Sequence, residues 1–264
     1  MADEKLRLGG MALANGVLVH GPRAWAAAVR ADDGGVEVVS AYKRFRASEV
    51  EQPLLRGPAR LLEAIALIPE IRRALPDAKL PFGRPAVLAS MLASATVVKL
   101  ARDSGRLGPA AQELVSGLLS VAPAALALRG GELAAYHGAE HLSIGTYEHG
   151  EEHAAKEHER CGSHLLGPLL ATTAVANTLA ARAPRELRTP VRVAGQLGAL
   201  AASTEIFGWM VRNPDSRLSR ALARPGHELQ HRFATAEPSR DQLEVAEAAL
   251  AACLALEDGD RDQD

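Results

Sequence analysis

The sequence predicts a mainly α-helical fold: a helical bundle preceded by a small N-terminal β meander. Only 3% of the 264 residues are aromatic while alanine and leucine dominate, a composition that favours helices over sheets. Glycines punctuate residues 9–45, whereas long apolar stretches follow from residue 85 onwards. We therefore expect one domain with three segments: a β-rich segment at 1–50, a helical domain carrying the functional site at 51–250, and an acidic tail at 251–264.

The N-terminal segment contains a predicted β-hairpin. Val36 to Tyr42 alternates apolar and polar residues enough for a strand, and Ala24 to Arg30 is a second short apolar run. The turn sequence Asp33-Gly34-Gly35 lies between the two runs. The earlier glycines follow neither the G-x-G-x-x-G order nor a P-loop pattern, so they predict tight turns and no nucleotide site.

Helix boundaries are marked at both ends of the chain. Leu61 to Leu75 has a helical pattern that Pro76 ends. The last helix is predicted to begin after Ser239, an N-cap whose capping-box partner is Gln242, three residues on. It ends in the acidic run Glu257 to Asp264, which we expect to be a solvated end.

Four apolar stretches leave membrane embedding open. They are Pro85 to Val98, Pro109 to Leu128, Leu165 to Ala181 and Val193 to Val211. A transmembrane helix needs about 20 predominantly apolar residues, and polar or charged residues interrupt or shorten each stretch. The mean hydropathy of −0.03 is typical of a soluble chain. Buried core helices and membrane-spanning helices are therefore both retained as interpretations.

Charge and cysteine content exclude some classes of protein. A net charge of −2 argues against a nucleic-acid partner, which requires a concentrated basic face. Two cysteines 92 positions apart form no disulfide framework, so a reducing environment is the simpler expectation. The first thirty residues lack the pattern of a cleaved secretory signal.

The most informative motif is H-x-x-E-H at residues 137–141. On a helix, His137 and His141 lie on one face, so both imidazoles can bind one metal ion, with Glu140 beside them. Six of the nine histidines fall within 28 residues, and Cys161 lies in the same stretch. The motif and this clustering predict a divalent metal site, with zinc as the favoured ion.

The third metal ligand has three candidates. Glu205 lies in an apolar helical stretch, where a carboxylate is costly unless it is paired or bound to a metal. Its position 64 residues after His141 resembles the reversed zinc-site proteases, in which a downstream glutamate completes the ligand set. His158 and Cys161, on a glycine-flanked segment, compete for the same role, and sulfur would favour zinc.

The sequence blocks around the motif resemble a known family. YHGAEH continues as LSIGTYEHG, HERCGSHLL and ARPGHELQHRFATAEPSRDQLEVAEAAL, and GGMALANGVLVHGPRAWAAAVR precedes it. Their order and spacing, over roughly residues 9 to 250, resemble the YqhQ-like bacterial family, a domain of unknown function. That resemblance implies a metal-dependent protein with several membrane helices, located in the bacterial cytoplasmic membrane; a soluble cytoplasmic protein is the alternative.

The resemblance also implies a set of site residues. They are His137, Glu140, His141, His158, Arg160, Cys161, Gly162 and Glu205. This chain departs from the family pattern at Asn15, where an acidic residue is usual, and at Leu142, where a basic residue is usual. The second departure puts an anion-binding role at that position in doubt.

These observations predict a zinc hydrolase acting on a membrane-proximal peptide or lipid. His137, His141 and Glu205 would hold the metal, Glu140 would deprotonate its water, and Arg160 would stabilise the oxyanion. The alternative is a non-enzymatic helical membrane or scaffold protein in which His158 or Cys161 closes a structural site with four ligands. A haem site is weaker because an acidic neighbour is unusual beside a porphyrin. A homo-oligomer is compatible with either.

Overall fold

The computed structural model describes residues 5–81, 85–104, 107–128, 131–150 and 154–261. The chain is mainly helical and begins with a four-stranded antiparallel sheet, as the sequence predicts. The strands are β1 Gly9–Leu13, β2 Gly16–His20, β3 Ala24–Arg30 and β4 Val36–Tyr42. The α-helices are α1 Arg56–Ala74, α2 Pro85–Asp103, α3 Pro109–Leu128, α4 Glu132–His149, α5 Leu166–Ala181, α6 Arg188–Arg212, α7 Arg217–Leu229 and α8 Arg240–Arg261.

The sheet is a simple meander in the order β1-β2-β3-β4. The predicted hairpin is confirmed with the bounds that the sequence indicated, because β3 and β4 pair from Ala24 opposite Tyr42 to Arg30 opposite Val36. Gly34 in the connecting turn has a φ of +88°, a conformation that favours glycine. The Asp33 carboxylate accepts a hydrogen bond from the Gly35 backbone at 2.8 Å and closes the turn.

Both faces of the sheet are covered by helices. On one face, Val17, Val19, Ala26 and Ala28 pack with buried side chains of α4 and α8. On the other face, side chains such as Leu18 pack against α1. Residues of β2 and β3 are therefore buried on both sides, which explains why these strands are apolar runs without polar alternation.

The last helix confirms one prediction and corrects another. Ser239 and Gln242 form the predicted capping box, with backbone-to-side-chain hydrogen bonds of 2.9 and 3.3 Å. The predicted solvated end is wrong at Glu257, which is only 2% exposed. Its carboxylate accepts hydrogen bonds from the backbone of Arg23 and Ala24, at 2.8 and 2.7 Å, because α8 packs along the sheet. Residues 251–261 thus belong to the folded domain.

The remaining helices form a layer around this core. α5 packs against α6 and α7, and α2 pairs with α3. A four-residue 3-10 turn, Gly162–Leu165, introduces α5, and a three-residue 3-10 turn, Arg185–Leu187, introduces α6. A π-helical turn, Gln230–Ala234, extends α7. No helix within the described ranges has both the length and the apolar character that crossing a bilayer requires.

Candidate metal centre

The H-x-x-E-H motif lies on helix α4, so the predicted helical conformation of the motif is confirmed. The helix packs on β1, β2 and α8, and most of its residues are buried. Gly138 allows the segment between α7 and α8 to approach closely: a Cβ at this position would lie 2.1 Å from the carbonyl oxygen of Ala236. The Ala236 N–H donates a hydrogen bond to Ala134 O at 2.9 Å. This contact brings residues 234–236 beside the motif.

The two histidines of the motif are oriented as metal ligands. Their ring centroids lie 4.3 Å apart. His137 Nδ1 lies 2.8 Å from the carbonyl oxygen of Ala234, and His141 Nδ1 lies 2.5 Å from that of Lys156. A carbonyl only accepts hydrogen bonds, so each Nδ1 carries a proton, and in the neutral form of either ring Nε2 presents a lone pair to a metal ion. Burial lowers the pKa of His141, which keeps this ring in the neutral form that binds metals.

Cys161 supplies the third converging ligand atom. Its Sγ lies 3.5 Å from His137 Nε2, and one ligand atom each from His137, His141 and Cys161 lie within 4.8 Å of one another. Zinc bonds of about 2.05 Å to nitrogen and about 2.3 Å to sulfur, at a tetrahedral angle, separate the two atoms by about 3.6 Å. The group can therefore hold a metal ion, and of the three candidates for third ligand it is Cys161 that the fold brings to the histidines.

Glu140 lies beside this group without being one of the three. Its Oε2 is 4.0 Å from His137 Nε2, and its side chain is 7% exposed. Burial raises the pKa of Glu140, while the nearby His137 and His158 oppose that shift. Gly10 in β1 provides the space for this carboxylate, since a Cβ at position 10 would lie 2.3 Å from Glu140 Oε1.

His158 and Arg160 converge on Glu148 rather than on the three ligand atoms. His158 Nε2 lies 3.3 Å from a Glu148 oxygen, and the Arg160 guanidinium donates to the other oxygen. Burial acts to raise the pKa of Glu148, but these two partners outweigh it and the pKa is lowered. The His158 ring remains next to His141, with centroids 5.6 Å apart. The oxyanion role of Arg160 stays a prediction, because its guanidinium is engaged by Glu148.

Two residues that support the site, Glu148 and Gln230, are not among those predicted from the sequence. The Glu148 side chain is 7% exposed although it stands in a charged run. Gln230 is fully buried; its Oε1 accepts from the His158 backbone at 2.9 Å, and its Nε2 donates to Ser163 Oγ at 2.7 Å. The only available signal for Gln230 was its position in one of the sequence blocks that carried the family resemblance.

The expectation that Glu205 faces the histidines is corrected by the structure. Its carboxylate accepts hydrogen bonds from Arg56 Nε at 2.9 Å and Nη2 at 2.5 Å, and from the Leu54 backbone at 3.1 Å. Arg56, foremost through these hydrogen bonds, lowers the pKa of Glu205. The sequence argument considered only charges near Glu205 in the chain, and the compensating arginine lies 149 positions away, on α1.

The charged run at 148–152 predicts that His149 and His153 belong to a solvated loop or lid, and because no glutamate directly precedes His231, surface positions are predicted for His227 and His231. The three of these histidines that the structure describes are exposed. The side chains of His149 and His231 are each 62% exposed, and His231 pairs with Glu157 at 2.9 Å. His227 is exposed on α7. His153, predicted to belong to a solvated loop or lid, lies outside the described residues.

Residues 132–256 match a family described as "Protein of unknown function (DUF1385)". The matched segment begins at the first residue of α4 and ends within α8, so it contains His137, Glu140, His141 and Cys161. The match supports the predicted relation to a family of unknown function. No curated protein and no solved structure matches this chain.

Proposed function

We propose that this protein is a metal-dependent hydrolase in which His137, His141 and Cys161 hold a zinc ion and Glu140 is the proton acceptor. The observation that carries this proposal is the convergence of three ligand atoms beside a buried carboxylate that is not among them. When bound, zinc supplies a water whose pKa is lowered to about 7. Catalytic zinc sites characteristically use three protein ligands and leave the fourth position to water.

The number of converging ligands favours the enzyme over a structural site. Within the described ranges, only one group of histidine, cysteine and acidic side chains meets the geometric requirement, and it has three members. His158, the candidate for a fourth ligand, is held at 3.3 Å by Glu148. A structural zinc site closes its tetrahedron with four protein ligands.

The surroundings of Glu140 suit proton transfer. Efficient general bases have pKa values closer to neutrality than an exposed carboxylate, and burial shifts the pKa of Glu140 in that direction. His137, whose side chain is 18% exposed, and the partly exposed Cys161 are the accessible side of the group, whereas His141 is 2% exposed. A peptide or lipid ester carbonyl would therefore approach from the side of His137 and Cys161.

The ligand set favours zinc among divalent metals. Imidazole nitrogen suits several transition metals, but a thiolate selects softer ions and disfavours magnesium, calcium and manganese. The Nδ1 hydrogen bonds to Ala234 O and Lys156 O fix the orientation of the two rings, as such bonds usually do for zinc-bound histidines.

The test combines metal analysis with catalysis. Purified protein should contain about one zinc per chain by plasma mass spectrometry, and X-ray absorption should report one sulfur and two imidazole ligands with one light-atom ligand from water. The zinc-loaded protein should hydrolyse members of a panel of ester and peptide substrates. Glu140→Gln should retain the zinc and lose roughly 10²- to 10⁴-fold in turnover, because the amide cannot accept the proton.

Two results would contradict the proposal. Zinc bound by four protein side chains would establish the structural site instead. Loss of zinc in Glu140→Gln would make Glu140 a ligand, and its assignment as proton acceptor would be wrong. Glu132→Gln serves as a matched control, since it makes the same substitution on the same helix in an exposed carboxylate away from the ligand group.

A further inference from the structure

A cavity outside the proposed ligand group lies between α6 and α7. Its volume is about 350 Å³, within the range of about 300–1,000 Å³ that is usual for small-molecule sites. Apolar side chains of α6, namely Phe207, Met210 and Val211, form one wall, and Ala223 of α7 faces the same space. Most of the surface lining this cavity is therefore apolar.

Polar or ionisable side chains also line the cavity: Glu159, His164, Ser219, Arg220, Arg224 and His227. Ser219 is 3% exposed, lines the cavity, and has a hydroxyl oxygen without a hydrogen-bond partner in the described part of the chain. A buried hydroxyl without a partner is disfavoured, and a ligand that accepts from it would remove that cost. His164 is 6% exposed and lines the cavity as well, and burial lowers its pKa to about 4, so the ring is uncharged at neutral pH.

The charges at the cavity favour an anion. Arg220 and Arg224 stand one helical turn apart on α7, and both line the cavity. Neither forms an ion pair with a described residue. Glu159 is the one acidic side chain that lines the cavity, so the arginines outnumber it. Two guanidinium groups on adjacent helical turns can donate hydrogen bonds to the oxygens of a carboxylate or phosphate.

We propose that this cavity binds an amphiphilic anion, an apolar chain ending in a carboxylate or a phosphate. The chain packs against Phe207, Met210 and Val211, and Arg220 and Arg224 bind its charged end. The cavity also borders the proposed metal centre, because Glu159 and His164 lie two residues before and three residues after Cys161. Binding at this site needs no metal, so the inference does not depend on the proposed hydrolase.

The test is calorimetric titration of the full chain with four eight-carbon probes: octanoate, octyl phosphate, octanol and octylammonium. Octanoate or octyl phosphate should bind with one-to-one stoichiometry, and whichever binds more tightly identifies the charged end. Octanol should bind at least about tenfold more weakly and octylammonium not at all, because only an anion engages the arginines. Chelation of zinc should leave the affinity unchanged.

Matched substitutions locate the site. Arg220→Gln and Arg224→Gln should each weaken anion binding by about three- to tenfold, while Arg217→Gln, on the same helix but outside the cavity, should not. Ala223→Phe should abolish binding by filling the cavity. Since that variant risks misfolding, the arginine variants decide the question if its circular dichroism spectrum is altered.

Three outcomes would overturn the inference. Equal binding of octanol and octanoate would leave the arginines without a role. Equal loss in Arg217→Gln would indicate a diffuse charge effect. No binding by any probe, together with sedimentation of a dimer that Ala223→Phe dissociates, would make the cavity an interface between two copies of the chain. Failure of the hydrolase proposal, by contrast, would show as absent zinc or absent turnover with probe binding intact.

Discussion

A cysteine ligand changes the charge and the electron density at the proposed zinc ion. A thiolate donates more electron density than a carboxylate and brings one negative charge directly to the metal. Cys161 also reaches the histidines from a separate segment, which Gln230 ties in place through the backbone of His158. The position of the thiolate therefore depends on the buried side-chain amide of Gln230 as well as on the segment that carries Cys161.

Removal of the thiolate should distinguish Cys161 from Glu205 as the third ligand. Cys161→Ala is expected to lose stoichiometric zinc, because two imidazoles alone leave the ion with too few protein ligands. Glu205→Gln should keep about one zinc per chain, since its carboxylate binds Arg56 and not the histidines. Plasma mass spectrometry after gel filtration measures both. Zinc loss in Glu205→Gln, with the circular dichroism of the wild type, would restore Glu205 as a ligand.

His20, a half-buried histidine outside the site, provides a test of stability against pH. Burial, followed by the neighbouring Lys43, lowers the pKa of His20 to about 3 from its ordinary 6.5. Lys43 Nζ lies 3.0 Å from His20 Nδ1 and also pairs with Glu63 at 2.7 Å. Between about pH 3 and pH 6.5, the imidazole is therefore protonated in the unfolded chain and neutral in the folded protein. The contribution of His20 to stability is complete above about pH 6.5 and decreases as the pH falls towards about 3.

His20→Gln should remove that contribution. Urea unfolding in the presence of a chelator between pH 4 and 7 measures how the free energy of unfolding depends on pH. The slope for the variant should be smaller than that for the wild type, by an amount that corresponds to up to about one proton taken up on unfolding. His141 and His164 also have lowered pKa values, so the wild type retains other contributions in the same range. Equal slopes in variant and wild type would mean that His20 titrates normally in the folded protein.

At the scale of elements, the close approach of α4 to residues 234–236 controls the site. Ala234 O orients His137, and the same segment contacts Gly138 through Ala236 O. The helix and the segment are therefore coupled: a change in their separation moves the acceptor that fixes the His137 ring. Helix α4 also contacts the sheet, so its position is determined from two sides.

Gly138→Ala tests this coupling. The added Cβ would lie 2.1 Å from Ala236 O, so the segment must move, and we expect a loss of about 1–3 kcal/mol in stability together with weaker zinc binding. Gly145→Ala is the control on the same helix, because its Cβ would be in ordinary contact, 3.6 Å from Ala154. That control should be neutral or gain up to about 1 kcal/mol in helix propensity. Similar losses for both variants would attribute the effect to the helix backbone.

For the whole molecule, the arrangement couples metal binding to stability. The three ligands come from α4 and from the segment before α5, and the carbonyl oxygens that orient them come from Lys156 and Ala234. A bound ion would join these segments across the helical layer. An ion bound to the folded chain alone stabilises it by mass action.

Zinc at about a hundredfold its dissociation constant should stabilise the protein by about 2.7 kcal/mol, or roughly 5–10 °C in Tm. Differential scanning calorimetry with added zinc and with chelator measures this difference. His137→Ala should show the same Tm under both conditions, because its ligand set is incomplete. A zinc-dependent Tm in that variant would place the stabilising site elsewhere.

The features that the sequence by itself determined are local. The β3–β4 hairpin, the capping box of α8 and the spacing of His137 and His141 each depend on residues a few positions apart, whose geometry follows from backbone conformation and helical periodicity. The mainly helical class with an N-terminal sheet follows from composition and apolar periodicity for the same reason.

Only the tertiary structure decided which distant groups meet. Cys161 reaches His137 from 24 positions away, and Arg56 reaches Glu205 from 149 positions away. The sequence correctly indicated that a carboxylate in an apolar helix requires a positive partner, but a metal ion and a guanidinium satisfy that requirement equally. The packing of α1 against α6 brings Arg56 to Glu205, and the packing of the π-helical turn Gln230–Ala234 against α4 brings the backbone carbonyl of Ala234 to His137. These contacts arise from the shapes of whole elements, which no local pattern encodes.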